Sequence, residues 1–464
     1  MYQCPNCAAG LRFDIVTQKL ACDHCDSFFD PYEIGRDKDA VEYENYEVKV
    51  FSCPECGAEL ISEDDTVATF CSYCGGTTVL DSRISKEKRP DKIIPFKKTK
   101  EDCKSAYARL VKRAIYTPKA FRDPEHLDKF RGIYIPYWNY SFKTDADVDF
   151  KAMKEYYKAS YRYTETYHIT GHANGEIDDI LFDSSSKFYD EMSENIGSFD
   201  VSEFQKFTPS FFSGFYADCG DVDSTVYEEF AENRATMFNT SAVVYDKRIS
   251  SLTAQPKEKD KVSEQVRPGE SKSGIAMLPV WFLSYRTDDN NVAYAVVNGQ
   301  TGKATGDLPV DKKRYLGISA ITALVLFGLF SLFTAKPSTI LVFVLIIYVI
   351  VFLISRSQMK KLRSKEQLED DMGLLSLKKQ ETEAVADNNY KKRKLTANLK
   401  FWLTVAVALA VLIISPVEDF IYYGAVVFCI AMVIVSELQL MNRFNILSTR
   451  KLPQLGRRGG DENA

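Results

Sequence analysis

Eight cysteines near the N-terminus are spaced for metal chemistry. Cys4, Cys7, Cys22 and Cys25 form one set; Cys53, Cys56, Cys71 and Cys74 form the other. Each set reads C-x2-C, fourteen residues, C-x2-C, and the second copies the first at an offset of 49. Four thiolates in two close pairs suit tetrahedral Zn²⁺. They leave no coordination position open for water, so the expected role is structural. A ribbon of roughly 25 residues buries too little core to fold alone, and the metal must supply the folding energy. Equal internal spacing favours two separate ribbons over a cross-braced pair. It also favours structural zinc over iron–sulfur or dithiol redox chemistry. The second set is the cleaner one. Gly57 and Gly75 follow its knuckles, where the first set has Ala8 and Asp26, and glycine is the residue that turns tightly there.

Other candidate residues carry weaker signals. Cys103, Cys219 and Cys429 are scattered, and Cys103 falls at a core position of a helix. His168 and His172 lie four apart with Asp178 and Asp179 near, a conceivable third metal site; the simpler reading is a polar strand face bending at Gly171. Asp145, Asp147 and Asp149 alternate as a solvated strand face rather than a cation site. Gly299-Gln-Thr-Gly302-Lys303 has two residues between its glycines instead of the four of a phosphate-binding loop, and Asn298-Gly299 is a hairpin turn. The chain has no nucleophile elbow, zinc-protease helix or Ser/His/Asp set. No catalytic residue is assigned and no enzyme is expected.

The elements that hold these residues follow from composition and periodicity. At 464 residues with a net charge of −5, the chain is expected to be multidomain. Residues 1–80 are the tandem Cys4 zinc ribbons. Residues 81–98 read as a charged linker. Residues 99–310 read as a soluble α+β domain with antiparallel sheet. In it Thr99 caps a helix with Asp102 at the third position, and Cys103, Tyr107, Leu110, Val111 and Ala114 follow at helical spacing. The texture turns to strand from Gly132. Tyr161–Ile169 alternates as a half-buried strand, with Tyr161, Tyr163, Tyr167 and Ile169 on one face. Residues 188–240 read as mixed and helical with aromatic anchors, and Gln255–Gly274 as a flexible polar loop.

The C-terminal third predicts an all-α membrane region of four transmembrane helices. Tyr315–Ala335 and Pro337–Ser355 are uncharged runs, the first hairpin (315–355); Phe401–Val417 and Phe420–Ser436 are a second (401–436). Segment 356–400 is a basic helical loop with twelve Lys or Arg against seven Asp or Glu, and 437–464 is a tail. Cations flank the spans on one side, so the positive-inside rule places N-terminus, loop and tail in the cytoplasm of a multi-pass inner (plasma) membrane protein. No signal-peptide pattern precedes the first knuckle. Reduced thiols agree with that compartment. Span interiors lack the ionisable residues that transporters and channels use.

Charge bears on the partner. Residues 1–80 hold five Lys or Arg and fifteen Asp or Glu, and two Zn(Cys)4 centres would add negative charge. Nucleic acid binding needs cations at phosphates, so a basic patch on a protein is the better partner. The basic loop suits anionic lipid headgroups.

The combined pattern resembles a bacterial family of TFIIB-type zinc ribbon-containing membrane proteins, sometimes labelled primosomal helicases. The resemblance rests on the two ribbons and on Ile93-Ile94-Pro95-Phe96-Lys97, Gly132-Ile-Tyr-Ile-Pro-Tyr-Trp138, His172-Ala-Asn-Gly-Glu-Ile-Asp178, Leu278-Pro-Val-Trp281 and Val297-Asn-Gly-Gln-Thr-Gly-Lys303. It implies a membrane-tethered adaptor whose partners are SPFH (flotillin-like) and phage-shock-type proteins in envelope stress. A tethered nucleic-acid-binding regulator and a thiol or metal sensor are the alternatives.

Overall fold

Thr99 caps the first long helix, α1 (Lys100–Arg113), as its sequence predicts. The Thr99 side chain accepts from the Asp102 amide, and the Asp102 carboxylate accepts from the Thr99 amide, which satisfies two orphan donors reciprocally. Cys103, Ala106, Tyr107 and Val111 form its buried stripe, so Cys103 is core. The structure is a computed structural model that describes residues 2–34, 45–62, 71–76, 81–287, 291–330, 332, 336–368 and 379–451.

Strands β1 (Leu11–Asp14), β2 (Lys19–Cys22) and β3 (Phe28–Phe29) make a small antiparallel sheet. Thirteen further strands join one sheet. In chain order they are β4 (Asn45–Ser52), β5 (Glu59–Ser62), β6 (Asp81–Lys88), β7 (Lys92–Ile93), β8 (Arg131–Lys158), β9 (Tyr161–Asp183), β10 (Gln205–Lys206), β11 (Tyr216–Asp218), β12 (Thr253–Ala254), β13 (Glu270–Arg286), β14 (Asn291–Asn298), β15 (Ala304–Gly306) and β16 (Arg450–Lys451). The spine runs β10-β7-β13-β8-β11-β5-β4-β6. It is mixed: β13 pairs β8 antiparallel, while β11 runs parallel to β8.

The central strands β13 and β14 are buried on both faces, and strand alternation assigns their residues to one core or the other. Met277, Trp281 and Leu283 of β13, with Ala293, Ala295 and Val297 of β14, share a core with Cys4, Phe13 and Cys22. Their neighbours Leu278, Val280 and Phe282, with Val292, Tyr294 and Val296, share the other core with Cys53, Cys56, Cys71 and Cys74. One cysteine set therefore packs against each face. A free-standing module over 1–80 and a linker over 81–98 do not describe this arrangement. Strands β4 and β5 come from the expected module, and β6 and β7 from the expected linker; all four are integral to the sheet. Non-local pairing achieves this, with β5 on β11.

Beyond the Lys143–Glu270 pair, β8 leaves β13 and continues with β9 as a ribbon to the Lys158–Tyr161 pair. Fifteen residues of strand reach about 50 Å. Its expected half-buried tyrosine face is exposed: Tyr157 is 74% and Tyr161 71% accessible, and Tyr163 and Tyr167 are also exposed. As far as Ala152, about half its length, the ribbon packs against α3 (Thr225–Val244) and α4 (Pro256–Gln265), and β12 pairs with it at Ala152 and Met153; the seven-residue α2 (Asp190–Ile196) lies elsewhere, against β14 and β15. Helix α4 and the start of β13 replace the flexible loop expected over Gln255–Gly274. Val262 and Val266, set among charged residues, pack on Phe150 and Ala152 of the ribbon, and that tertiary contact outweighs the polar composition.

Four helices follow: α5 (Lys312–Phe330), α6 (Pro337–Leu368), α7 (Lys379–Ile414) and α8 (Asp419–Leu447). Three contain segments long and apolar enough to cross a membrane: Pro337–Arg363, Asn388–Ile414 and Asp419–Leu447. The expectation of four is thus corrected to three among the described residues. Three of the 19 residues of α5 are the cations Lys312, Lys313 and Arg314, and the remainder falls short of the ~20 apolar residues a spanning helix needs. The Ser355 hydroxyl (α6) donates to Glu437 (α8) at 2.6 Å, and Leu341 clusters with Tyr422 and Ala425. Helices α6 and α8 are therefore parallel, and α7 runs between them in the opposite direction, with Tyr348 bonded to Thr404 and Lys400 to Gln439.

Candidate metal centres

Each cysteine set converges on itself. Within each group the four sulfurs lie within 4.8 Å of one another, so either could hold one metal ion; these are two separate centres, not a cross-braced pair. In the second group, Cys53–Cys74 and Cys56–Cys71 sulfurs are 3.8 Å apart. A tetrahedron of Zn–S bonds at 2.3 Å has sulfurs about 3.8 Å apart. The first group is tighter, with Cys4–Cys25 at 3.5 Å and Cys7–Cys22 at 3.4 Å. All eight cysteines are free of disulfides. The donor set and its size fit zinc.

Four knuckles of one design bring the sulfurs together. In each, the first cysteine's N–H donates to the carbonyl five residues on (Ala9, Ser27, Ala58, Gly76), and the residue four on (Ala8, Asp26, Gly57, Gly75) donates back to the first cysteine's carbonyl. That fourth residue always has a positive φ: 59° at Ala8, 55° at Asp26, 75° at Gly57 and 71° at Gly75. Ala8 and Asp26 thus hold a left-handed conformation that costs an L-residue on the order of 1 kcal/mol. The double change Ala8→Gly, Asp26→Gly is expected to stabilise the first centre by several tenths of a kcal/mol up to about 1, since glycine's larger unfolded-state entropy offsets part of the relief. Metal release from this centre to a chelator should slow severalfold. An unchanged release rate would show that the left-handed turns carry no strain.

Burial distinguishes the centres. All four cysteines of the second are buried, while Cys7 and Cys25 of the first are partly exposed. Tyr73, between the second centre's last two ligands, packs on Phe282, which packs on Tyr294. The first centre's ribbon rests on Phe13 against Phe211 and on Gln18, whose amide donates to the Phe96 carbonyl. Four buried thiols cannot all ionise without a cation. Hydrogen bonds from Cys56, Cys71 and Cys74 hold the Cys53 thiol low, while those to Cys53 and Cys56 push Cys71 high. A dipositive ion relieves this conflict. In the first centre the Ser27 hydroxyl holds Cys25 down at about 6.

The remaining candidates resolve differently. His172 places Nε2 3.0 Å from Asp145 and Nδ1 2.9 Å from Asp147; His168 lies 2.8 Å from Asp149, which also takes Lys261. The carboxylates alternating on β8 therefore pair with the histidines on β9. Asp147 raises the His172 pKa, with Asp145 adding to the effect. Among the described residues the two cysteine sets are the groups that could hold a metal ion. Asp179 instead accepts from Lys92 and Asn139. The Asn298-Gly299 segment is a hairpin turn joining β14 to β15, and Cys219 and Cys429 are buried apart from one another.

Sequence reasoning missed a buried ionic network at the end of β11. Lys187 donates to Asp218 at 2.8 Å and to the Cys219 carbonyl at 3.0 Å, and the Ser185 hydroxyl also donates to Asp218. Both charged side chains are almost wholly buried. Burial raises Asp183 to about 7 nearby. A cavity of about 270 Å³ opens beside Asp218, with Lys88 and Trp138 also lining it. Asp183-Ser-Ser-Ser-Lys187 has no spacing signature, and its acid partner lies 31 residues on.

No protein-family model matches the chain, and no solved structure matches it. Among curated proteins it is 28% identical over 334 residues to the uncharacterized protein YdjG of Bacillus subtilis (strain 168), covering 70% of this chain and 96% of that one. The chain is a distant homologue of that protein.

Proposed function

We propose that this is a membrane-anchored zinc-ribbon adaptor that recruits cytoplasmic proteins to the bacterial inner membrane. The observation that carries the reading is the β8–β9 ribbon. It projects beyond the sheet and presents a cluster of exposed tyrosines, with Tyr156 and Tyr163 stacked 5.5 Å apart. Tyrosine supplies large, rigid contact area with a polar tip and is enriched where proteins meet. The acidic N-terminal segment favours a partner with a basic patch, and SPFH-like and phage-shock-type proteins are the classes to test.

Chain direction supports one-sided display. The chain leaves the sheet at Asp311, whose N–H donates to Tyr116, and Arg314 bonds the Thr117 carbonyl. It returns after α8, where Asn445 bonds both backbone groups of Val310 and β16 pairs with β14. Both ends of the helical region thus meet one sheet. The cations at the near ends then put the sheet in the cytoplasm.

The test places a photo-crosslinking residue at Tyr157 or Tyr161 of the full chain in native membranes. Protein adducts at both positions, and none from the same residue at exposed Gln439, are the expected result. Adducts with nucleic acid, or none, would contradict the adaptor reading.

A further inference from the structure

We propose that the three-helix bundle holds an anionic phospholipid headgroup in a built interhelical site at its sheet-proximal end. This rests on the membrane reading above and names a ligand for it. A cavity of about 110 Å³ lies between α6, α7 and α8. Arg393 and Lys400 of α7 and Arg443 of α8 line it, with the hydroxyls of Ser355, Thr396 and Ser436 between them. Its other wall is apolar, formed by Tyr348, Phe352 and Val433. Among the described residues near it, Glu437 accepts from Ser355 and Lys400 donates to Gln439.

Position selects the ligand. The cations sit where the apolar helices give way to charged sequence, as at the Lys400-Phe401 step. The apolar wall continues toward the Leu341, Ala408 and Tyr422 cluster at the far end. A phosphate group fits the polar half. The cavity is too small for acyl chains, which would lie along exposed flanks such as Ile350, Leu353 and Ile434. Basic pockets between helices at this depth suit the phosphodiester of an anionic lipid. The shared chemistry is a phosphate oxyanion; the apolar wall favours its lipid source over free phosphate.

The experiment uses the full chain purified from alkali-washed membranes in mild detergent. It is mixed with phosphatidylglycerol and phosphatidylcholine, and retained lipid is counted by native mass spectrometry. Phosphatidylglycerol should be retained in preference, unaffected by millimolar inorganic phosphate. Arg393→Gln, Lys400→Gln, Arg443→Gln together should lower retention about a hundredfold, at roughly fivefold per cation. Arg393→Lys, Arg443→Lys should preserve it, which separates lost charge from lost fold. A control, Lys360→Gln, Lys361→Gln, Lys391→Gln, removes equal charge from exposed positions and should retain the lipid. Equal loss in the control would overturn the site in favour of diffuse attraction. Displacement by inorganic phosphate would overturn the lipid assignment. A chain that washes off with alkali refutes the membrane reading, whereas a membrane-integral chain that retains no phosphatidylglycerol refutes this inference alone.

Discussion

Cys71→Ser is expected to abolish folding of the sheet domain, while Cys7→Ser should leave most of it intact. Cys71 is completely buried, in a core shared with Phe282, Tyr294 and Val296 of the central strands. Strands β4 and β5 bring that centre into the spine between β11 and β6. Structural zinc contributes on the order of 10 kcal/mol in small Cys-rich modules, comparable to the whole stability of a typical domain at ~5–15 kcal/mol. Losing a ligand also leaves three buried thiols in conflict over their protons. The first centre differs. Cys7 is partly exposed, and its ribbon forms a separate three-stranded sheet. Limited proteolysis of the full-length variants in detergent separates these outcomes. Cys71→Ser should be cut throughout 45–310, and Cys7→Ser chiefly within 2–34. A Cys71→Ser protein with the wild-type cleavage pattern would remove the second centre from its structural role.

The second large effect belongs to the buried ion pair. Lys187→Ala is expected to cost about 3–5 kcal/mol, because it strands the Asp218 carboxylate without its cation. Ser185 would remain as a donor, which is too little for a buried charge. For a domain of this size the melting temperature should fall by on the order of 10 °C. Replacing both partners, Lys187→Met with Asp218→Leu, should recover most of the loss, since the cost lies in leaving one charge alone. If Lys187→Ala melted within a degree of wild type, or if the double change melted no higher, the pair would not be a desolvated unit.

The legible parts of this molecule were those encoded locally. The cysteine spacing exposed both centres because a knuckle needs only a few consecutive residues. The Thr99 capping box and the Asn298-Gly299 turn were readable for the same reason. What escaped was set by partners distant in sequence. The pairing of β5 with β11 draws the second cysteine set into the main sheet, and it joins Ile61 to Ala217. The alternation of Tyr161–Ile169 marked a strand correctly but misplaced it as half-buried, because period two reports two faces without saying what covers either. Helix α4 hides in polar sequence, with Val262 and Val266 as its anchors on the ribbon. Helix α5 reads as an apolar run, yet its described residues begin with three cations and end at Phe330. The Lys187–Asp218 pair had no local signal at all.

The sheet is clasped between two cysteine centres, one on each face, and the helical region leaves from it and returns to it. Metal content tests that account most directly. The full chain, purified without added metal or chelator, should contain two zinc ions. On chelation the partly exposed first centre should empty first and the sheet should hold, with unfolding following loss of the second ion. A protein that folds with neither ion bound, or that keeps its sheet after both are removed, would contradict it.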